Sequence, residues 1–408
     1  MQKKDTMFRF YTAGESHGKG LIGFLEGLPA GLEVDRKQID RQLYRRQLGY
    51  GRGRRMAIES DHVEILSGVR HGRTLGSPIS FLVANKDWEN WRISMSCDSV
   101  SGDADLRNIT HPRPGHADLP GALKYQTRDI RDILERASAR ETAARVAGGA
   151  FARLFMKYFG IRIASHVLAI GGERVAAAYE KLPFDDIAAI DREAGENGEE
   201  KAVFAAYLRC ADRDAAVRMI TLIDEAARAG DTFGGVVEIV AAGVPTGLGS
   251  HVQWDRRLDG RLAAAMMSIP SVKAVEIGDG IAGAGEPGSR VHDAISYDSD
   301  ERRFRHETNR AGGIEGGISN GEEVRARIYL KPIPTLRRPL ASVDVCSKQT
   351  FHAAVERGDV CAVTAAGVVG EAMLALELCG AFLEKFGGDS IEETAENFSR
   401  FMDRVKKY

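Results

Sequence analysis

The chain has 408 residues and an almost balanced charge, with 56 basic and 58 acidic side chains. This balance argues against general nucleic-acid binding, which needs a broad basic surface. Five cysteines without C-x-x-C spacing argue against a disulfide framework or a metal site. The N-terminal stretch MQKKDTMFRFYTAGESHG has no apolar segment of signal-peptide length, and no run of about 18 apolar residues occurs, so we expect a soluble, cytoplasmic protein.

Helix and strand patterns are intermixed along the whole chain. The predicted elements, in chain order, are a strand at 7–13, a helix at 37–48, strands at 64–69 and 77–85, a helix at 128–158, a strand at 161–172, a helix at 213–228, a strand at 233–245, a helix at 254–267, strands at 272–280 and 324–331, and a helix at 362–386. A long loop is expected at 98–120 and an acidic loop at 191–201. No Pro/Ser-rich linker divides these elements, so the sequence predicts one α+β domain over residues 1–408.

Five arginines fall within eleven residues of the stretch RRQLGYGRGRRM, where three glycines separate them. They are Arg45, Arg46, Arg52, Arg54 and Arg55. Guanidinium groups bind phosphate and carboxylate bidentately, and glycine lets the backbone approach a ligand closely. The stretch predicts a loop that holds a small, strongly anionic ligand. A solvated basic face and an Arg/Gly-type RNA-binding loop stay open, although only Tyr50 there could stack on a base.

Two histidines lie in glycine-bearing segments. His17 follows Glu15 and Ser16 in AGESHGKG (13–20), directly after a predicted strand, where it could shuttle protons near neutral pH. His116 stands three residues after Arg113 in RPGHADLPGALKY (113–125), a pairing that suits protonation of a departing phosphate. For each segment the alternative is a turn or loop with a hydrogen-bonded polar side chain.

Three further segments could complete an anion pocket. DILERASARETAARVAGGA (132–150) carries several arginines, which could instead form ion pairs with Glu135 and Glu141. TNRAGGIEGGISNG (308–321) has six glycines and suits a backbone cradle, or a structural turn. KPIPTLRRPL (331–340) and the Arg357–Asp359 pair could close on a phosphate, or form surface ion pairs. Together the segments favour a substrate with phosphate and several carboxylates that loses its phosphate with help from histidine.

Seven motifs occur in the order found in one enzyme family. AGESHGKGL, GYGRGRRM, RPGHADLPGALKY, RASARETAARVA, GGIEGGISNG, KPIPT and ERGDVCAV together resemble chorismate synthase from about residue 8 to 385. The resemblance implies a sandwich of antiparallel β-sheets flanked by helices. It implies 1,4-anti-elimination of phosphate from 5-enolpyruvylshikimate 3-phosphate to give chorismate, the last step of the shikimate pathway, with reduced FMN. It further implies a homotetramer, an external flavin reductant and NADPH only as an indirect reductant, because no reductase-like segment is visible.

The same resemblance assigns roles to individual residues. The catalytic residues it implies are His17, His116 and Asp359. The substrate-binding residues are Arg46, Arg52, Arg55, Arg113, Arg140 and Arg357. The flavin-binding residues are Arg46, Arg52, Arg136, Ala137, Ser138, Ser271, Gly316, Lys331, Pro332, Ile333, Pro334, Thr335 and Arg357.

The sequence departs from the family pattern at two of these places. Ala137 replaces a common serine, and Pro270–Ser271 replaces a common Asn-Ala. A specialised flavin-binding relative of the same fold is the third alternative, besides the lyase and the RNA-binding protein. Intact His17, His116 and Asp359 argue against it.

Overall fold

Two antiparallel sheets form the framework of the protein, whose computed structural model describes residues 8–52, 61–100, 106–193, 208–356 and 358–408. In chain order the strands are β1 (Arg9–Ala13), β2 (Gly20–Glu26), β3 (Val63–Ile65), β4 (Val69–Arg70), β5 (Arg73–Thr74), β6 (Ile79–Ala84), β7 (Arg162–Ile170), β8 (Glu173–Arg174), β9 (Gly235–Ala242), β10 (Val272–Ile277), β11 (Ile295–Asp298), β12 (Arg303–His306), β13 (Ile314–Glu315), β14 (Ile318–Ser319), β15 (Val324–Leu330), β16 (Ala341–Val343) and β17 (Thr350–His352).

One sheet has four strands in the order β1-β2-β6-β3, and the other has five in the order β10-β15-β9-β7-β8. In the first, Phe24 of β2 lies opposite Tyr11 of β1 and Ser80 of β6. In the second, Val237 of β9 lies opposite Val167 of β7 and Ile328 of β15. The remaining strands pair as the short hairpins β4-β5, β11-β12, β13-β14 and β16-β17.

Helices lie between the sheets and around them. In chain order they are α1 (Arg36–Gln47), α2 (Asp118–Tyr125), α3 (Arg131–Leu134), α4 (Thr142–Tyr158), α5 (Phe184–Glu193), α6 (Arg213–Ala229), α7 (Leu258–Met267), α8 (Gly280–Gly283), α9 (Gly288–Val291), α10 (Val363–Phe386) and α11 (Ile391–Lys407). Helix α4 packs on β1, β2 and β6, α10 packs on β7 and β9, and the two helices pack on each other.

Small residues allow this central packing. A Cβ atom on Gly148 would lie 2.3 Å from the ring of Phe10 on β1, and one on Gly149 would lie 2.4 Å from Ala372 on α10. Helix α4 therefore touches the four-stranded sheet on one side and α10 on the other. Gly367 likewise lets α10 lie close to the five-stranded sheet, because a Cβ atom on Gly367 would lie 2.8 Å from Ser165.

The five-stranded sheet is covered on both faces. Successive side chains of a strand point to opposite faces, and Ile239 of β9 lies in the central core beneath α10. The next residue, Val240, packs instead with Phe184 and Ile187 of α5. The expected α+β fold of antiparallel sheets flanked by helices is confirmed, with α4 and α10 forming a layer between the sheets.

A charged cluster is buried in the central layer. Glu371 of α10 has a side chain only 1% exposed, and it accepts hydrogen bonds from three guanidinium groups and one hydroxyl at 2.7–2.8 Å. These donors are Arg45, Arg153, Arg209 and Ser165. Burial alone would raise the pKa of Glu371, but the arginines outweigh it and lower the pKa to about 2. The cluster ties α1, α4, β7 and the segment at 209 to α10.

Helix α10 is by length and composition apolar enough to cross a membrane, although Glu371 and Glu377 interrupt its apolar residues. Its most apolar window is, however, 89% buried inside the protein. A helix that is apolar on all sides is also what a buried core requires. Helix α10 is surrounded in this way because it lies between the two sheets.

The helix predicted over 128–158 is broken. Helix α3 ends at Leu134, a short 3-10 helix covers Ala139–Glu141, and α4 begins at Thr142. The Ser138 side chain caps the 3-10 helix by accepting from the backbone N–H of Arg140. The apolar spacing was helical throughout, but the capping serine interrupts it where the chain turns towards the site. Helix α5 also extends to Glu193, into the predicted acidic loop at 191–201, whose part after residue 193 lies outside the described residues.

Candidate active site

A cavity of about 1390 Å³ opens where the end of α1, the start of α4, the loop before β10 and the loop after β15 meet. Its wall contains most of the residues that the sequence assigned to a site. Those that line it are His17, Arg46, Arg52, Arg113, His116, Ala137, Ser138, Arg140, Ser271, Lys331, Ile333, Pro334, Thr335 and Asp359. Segments separated by more than 300 residues in sequence thus form one surface.

Arg46 and Arg140 share a buried carboxylate at the cavity wall. Asp61 Oδ2 accepts from Arg46 Nη2 at 2.8 Å and from Arg140 Nη1 at 2.7 Å. Arg140 Nε also donates to Asn85 Oδ1 at 2.9 Å. Burial would raise the pKa of Asp61, but the two guanidinium groups outweigh it and lower that pKa. One ionised carboxylate therefore holds two arginines in place, and the three groups together keep a net positive charge.

Arg46 reaches the site from a helix rather than from a loop. Arg45 and Arg46 occupy the last turn of α1, as the helix predicted at 37–48 requires, so the loop predicted for the arginine stretch is wrong at these two residues. Adjacent helix positions point about 100° apart, so Arg45 enters the core and Arg46 enters the cavity. Of the other arginines in that stretch, Arg52 is described, while Arg54 and Arg55 lie outside the described residues. The burial of Arg45 and Arg46 also argues against an exposed RNA-binding loop.

His17 lies in a tight turn between β1 and β2. Gly14 has φ +100, and a Cβ there would be 2.3 Å from the carbonyl oxygen of Gly20, so the turn requires glycine. Glu135 Oε2 accepts from the backbone N–H of His17 at 2.8 Å, and both Glu135 oxygens lie 2.9 Å from His17 Nδ1. The Trp91 ring stacks on the imidazole with centroids 3.9 Å apart. The ring of His17 is therefore held by a carboxylate at its edge and an indole on its face.

Ser16 and Ser138 meet beside His17. Their hydroxyl oxygens are 3.2 Å apart, and both residues line the cavity. The backbone N–H of Ser16 donates to the carbonyl of Glu135. The turn before β2 is thus attached to the residues that precede α4.

His116 and Arg113 share a second buried carboxylate. Asp118, in the first turn of α2, accepts from Arg113 and lies 2.5 Å from His116 Nδ1. Arg113 Nη1 also donates to Thr335 Oγ1 at 3.0 Å, and Lys331 Nζ donates to the carbonyl of Gly115. The loop that follows β15 therefore braces the loop that carries both residues.

Asp359 forms an ion pair inside the cavity. Its Oδ2 is 2.6 Å from Arg52 Nη1, and their side chains are 21% and 9% exposed. The backbone N–H of Val360 donates to the carbonyl of Gly51, which joins the two loops next to the pair. The predicted partner Arg357 lies outside the described residues.

Of the predicted flavin-binding residues that the structure describes, three do not line this cavity. Arg136 donates to the backbone carbonyls of Thr12 and Gly14. Gly316 lies in the turn of the β13-β14 hairpin, with open space where a Cβ would be. Pro332 is exposed between cavity residues Lys331 and Ile333.

The sequence did not predict Asp61 or Asp118 as partners, and it suggested Glu135 only as a partner of nearby arginines, not of His17. Asp61, Asp118 and Glu135 each hold a predicted site residue, and Trp91 covers His17. Only HAD, where Asp118 follows His116 by two residues, carried a local signal. Asp61 is 15 residues from Arg46 and 79 from Arg140, and Glu135 is 118 residues from His17.

The arrangement defines an enzyme cavity for a small polyanion. Guanidinium groups line it, two histidines face it with carboxylates at their Nδ1 atoms, and an aspartate stands among them. Such a site can bind phosphate and carboxylate groups and transfer protons to and from the bound molecule.

Comparison with known proteins identifies the family. A sequence model of chorismate synthase matches residues 8–383. Chorismate synthase of Desulforudis audaxviator is 54% identical over 400 residues, covering 98% of both chains, and that of Solibacter usitatus is 51% identical over 402 residues, covering 98% of this chain and 100% of its own. A crystal structure of a chorismate synthase has a TM-score of 0.75 and 41% identity, covering 98% of this chain and 99% of its own.

The chain belongs to the chorismate synthase family. It is a carbon–oxygen lyase that converts 5-enolpyruvylshikimate 3-phosphate to chorismate and phosphate, in the last step of the shikimate pathway. Enzymes of this family require reduced FMN. The predicted family, fold class and function are confirmed.

Proposed function

We propose that the cavity binds 5-enolpyruvylshikimate 3-phosphate and reduced FMN together and carries out the 1,4-anti-elimination of phosphate. The observation that supports this most directly is the convergence of three arginines and two histidines, each braced by a buried carboxylate. The arginines are Arg46, Arg113 and Arg140. A substrate with one phosphate and two carboxylates carries the negative charge that would neutralise this positively charged cavity wall.

Arg46 is prepared to receive an anion. Its side chain is 5% exposed, and its Nε is buried with no hydrogen-bond partner among the described residues. A buried donor without an acceptor costs free energy, and a ligand oxygen that accepts from Arg46 Nε would remove that cost and so strengthen binding. We assign Arg46, Arg52, Arg113 and Arg140 to substrate binding, and we keep Arg55 and Arg357 as proposals from the family resemblance.

The residues present fit a flavin beside the substrate. The cavity is larger than the roughly 300–1,000 Å³ typical of a site for one drug-sized ligand. Apolar side chains such as Ile269, Ile333 and Val363 line it together with the polar groups, which suits a flat ring system. When bound, reduced FMN would supply electron density as the phosphate leaves.

The segments that would hold FMN are those of Ala137, Ser138, Ser271 and the stretch Lys331, Ile333, Pro334 and Thr335, with Arg46 and Arg52. Arg136, Gly316, Pro332 and Arg357 stay in the proposal on the resemblance alone.

Three residues are proposed to handle protons. His116, next to Arg113, protonates the departing phosphate, since a phosphate held by the arginine would lie within its reach. His17 holds a proton for the reduced flavin. Asp359 assists removal of the ring proton of the substrate, supported by its place in the cavity beside Arg52.

Anaerobic turnover of 5-enolpyruvylshikimate 3-phosphate with photoreduced FMN tests the proposal. Chorismate absorbance and phosphate release should rise together, and oxidised FMN should support neither. A His116→Ala variant should lose turnover far more than substrate affinity. Absence of product from folded, flavin-bound protein would contradict the proposal and favour a specialised relative.

We also propose that the flavin is reduced from outside the chain, with NADPH acting only indirectly. The support is the lack of a reductase-like segment in the sequence. Turnover driven by NADPH alone, under anaerobic conditions and without added reductase or dithionite, would overturn this.

We propose a cytoplasmic homotetramer whose chain forms one domain over residues 1–408. One hydrophobic core runs from Phe8 to Ile391 across both sheets, which supports the single domain. The tetramer and the location rest on the family. A monomeric mass in solution would refute the tetramer.

A further inference from the structure

Asp118 is the most completely engaged carboxylate of the site. It is fully buried, and it accepts from the backbone N–H of Arg113 at 3.0 Å, from Arg113 Nε at 2.8 Å and from Arg113 Nη2 at 3.1 Å. Its Oδ1 lies 2.5 Å from His116 Nδ1. Four donors therefore surround a group with about four acceptor positions.

These contacts determine where His116 carries its proton. Burial would raise the pKa of Asp118, but the hydrogen bonds from His116 and Arg113 outweigh it and hold that pKa well below its usual value. An ionised carboxylate only accepts, and two acceptors 2.5 Å apart without a hydrogen between them would repel each other. Nδ1 therefore carries a hydrogen. Arg113 Nη2, 3.1 Å from Nδ1, could donate only to an Nδ1 without a hydrogen. The same Nη2 also donates to Asp118 Oδ1, and the shorter separation of Oδ1 and Nδ1 still requires a hydrogen between those two atoms.

We propose that Asp118 is a positioning residue that holds His116 with its proton on Nδ1 and Arg113 beside it, so that Nε2 of His116 is the atom that exchanges a proton with the leaving phosphate. The proposal rests on the proposed role of His116. It assigns Asp118 no contact with substrate, because the carboxylate is enclosed by the two residues it orients.

The test is a double-mutant cycle of Asp118→Asn and His116→Ala, measured by anaerobic single turnover with photoreduced FMN. Asparagine keeps the volume but presents an N–H group in place of one acceptor. Asp118→Asn should lower the rate by roughly 100-fold, in the range of a general acid. In the His116→Ala background, at saturating substrate so that weaker binding through Arg113 does not contribute, the same change should cost less than about threefold, because Asp118 then has no histidine to orient.

The cycle distinguishes the two proposals. Equal losses from Asp118→Asn in both backgrounds would show a merely structural role and overturn the positioning proposal. Full turnover by His116→Ala would instead remove the role of His116 itself. If His116→Ala is slow and Asp118→Asn is not, the role of His116 stands and the positioning proposal fails.

The chain offers a matched control. Asp344 lies 3.2 Å from His111 Nε2 in a histidine–aspartate pair that does not line the cavity. Asp344→Asn should keep turnover within about threefold of the parent. A loss as large as that of Asp118→Asn would show that removing such a pair acts through folding.

The unsubstituted protein gives a second test that holds even if Asp118→Asn does not fold. Ring-¹⁵N-labelled histidine reports the tautomer by NMR, and the His116 signals are those missing from His116→Ala. We expect the neutral imidazole of His116 to carry its hydrogen on Nδ1. A hydrogen on Nε2 would overturn the proposal.

Discussion

Replacing Arg46 by glutamine tests whether the cavity wall binds an anion. The substitution removes a cation that is 5% exposed and shortens the side chain. Asp61 keeps its 2.7 Å partner Arg140, so no buried carboxylate is left without a counter-charge. The fold should therefore persist, and the effect should appear in ligand binding.

The size of the effect follows from the contacts. Removing one partner of a buried, hydrogen-bonded charge pair costs roughly 2–5 kcal/mol, or about 30-fold to 4000-fold in affinity. Burial and the neighbouring guanidinium groups of Arg140 and Arg52 lower the pKa of Arg46, against Asp61. Because its loss also relieves repulsion among these cations, we expect a value in the lower part of the range. Substrate affinity should fall about 100-fold.

The assay is equilibrium binding of 5-enolpyruvylshikimate 3-phosphate to protein loaded with oxidised FMN, followed by flavin absorbance, with FMN affinity measured separately. Arg41→Gln is the control, because Arg41 is exposed on the same helix α1 and does not line the cavity. It should bind both ligands like the parent. The reasoning is refuted if Arg46→Gln weakens neither ligand by more than about threefold.

The remaining predictions concern the core and the proton acceptor. Glu371→Gln should lower the free energy of unfolding in urea by about 3–5 kcal/mol, since it breaks buried ion pairs. The control Glu377→Gln on the same helix loses a more exposed ion pair with Arg261 and should cost about 0–1 kcal/mol. Similar losses from the two variants would contradict this prediction. The folded-state pKa of Glu371 is depressed, so its contribution is complete above its ordinary pKa of 4.5 and is lost as pH falls through about 2. Stability should therefore decline across that range, less steeply in Glu371→Gln, and parallel curves would count against the assignment. Asp359→Asn should slow single turnover roughly 10²–10⁴-fold with substrate affinity within a few fold, and an unchanged rate would remove Asp359 from the mechanism.

Local sequence patterns predicted most of the regular structure. Strand β7 and helices α1, α6 and α10 lie within one or two residues of the predicted bounds, because their apolar spacing is sustained and their ends carry caps or glycine. Short hairpins such as β11-β12 and the terminal helix α11 were not predicted. The apolar sides of such hairpins are brief, whereas α11 was missed although Ser390 caps it and its apolar residues recur at helical spacing.

The cations of the site could be predicted, but the function of each arginine could not. Arg45 and Arg46 are neighbours in an identical local context, yet one binds Glu371 in the core and the other faces the cavity. That difference depends on helix phase and on residues 15 to 326 positions away. Asp61, and the contact of Glu135 with His17, could not be predicted for the same reason, since a carboxylate becomes a partner only when the tertiary fold brings the other group near.

The order in which the cavity's segments occur along the chain has a consequence for synthesis. His17 is made early, whereas Asp359 and the start of α10 are made more than 340 residues later. During translation the wall stays incomplete until α10 has left the ribosome, and a ligand stabilises only a state that it can bind. Substrate and flavin therefore cannot guide the early stages of folding on the ribosome, and the nascent first sheet has to remain free of aggregation without them.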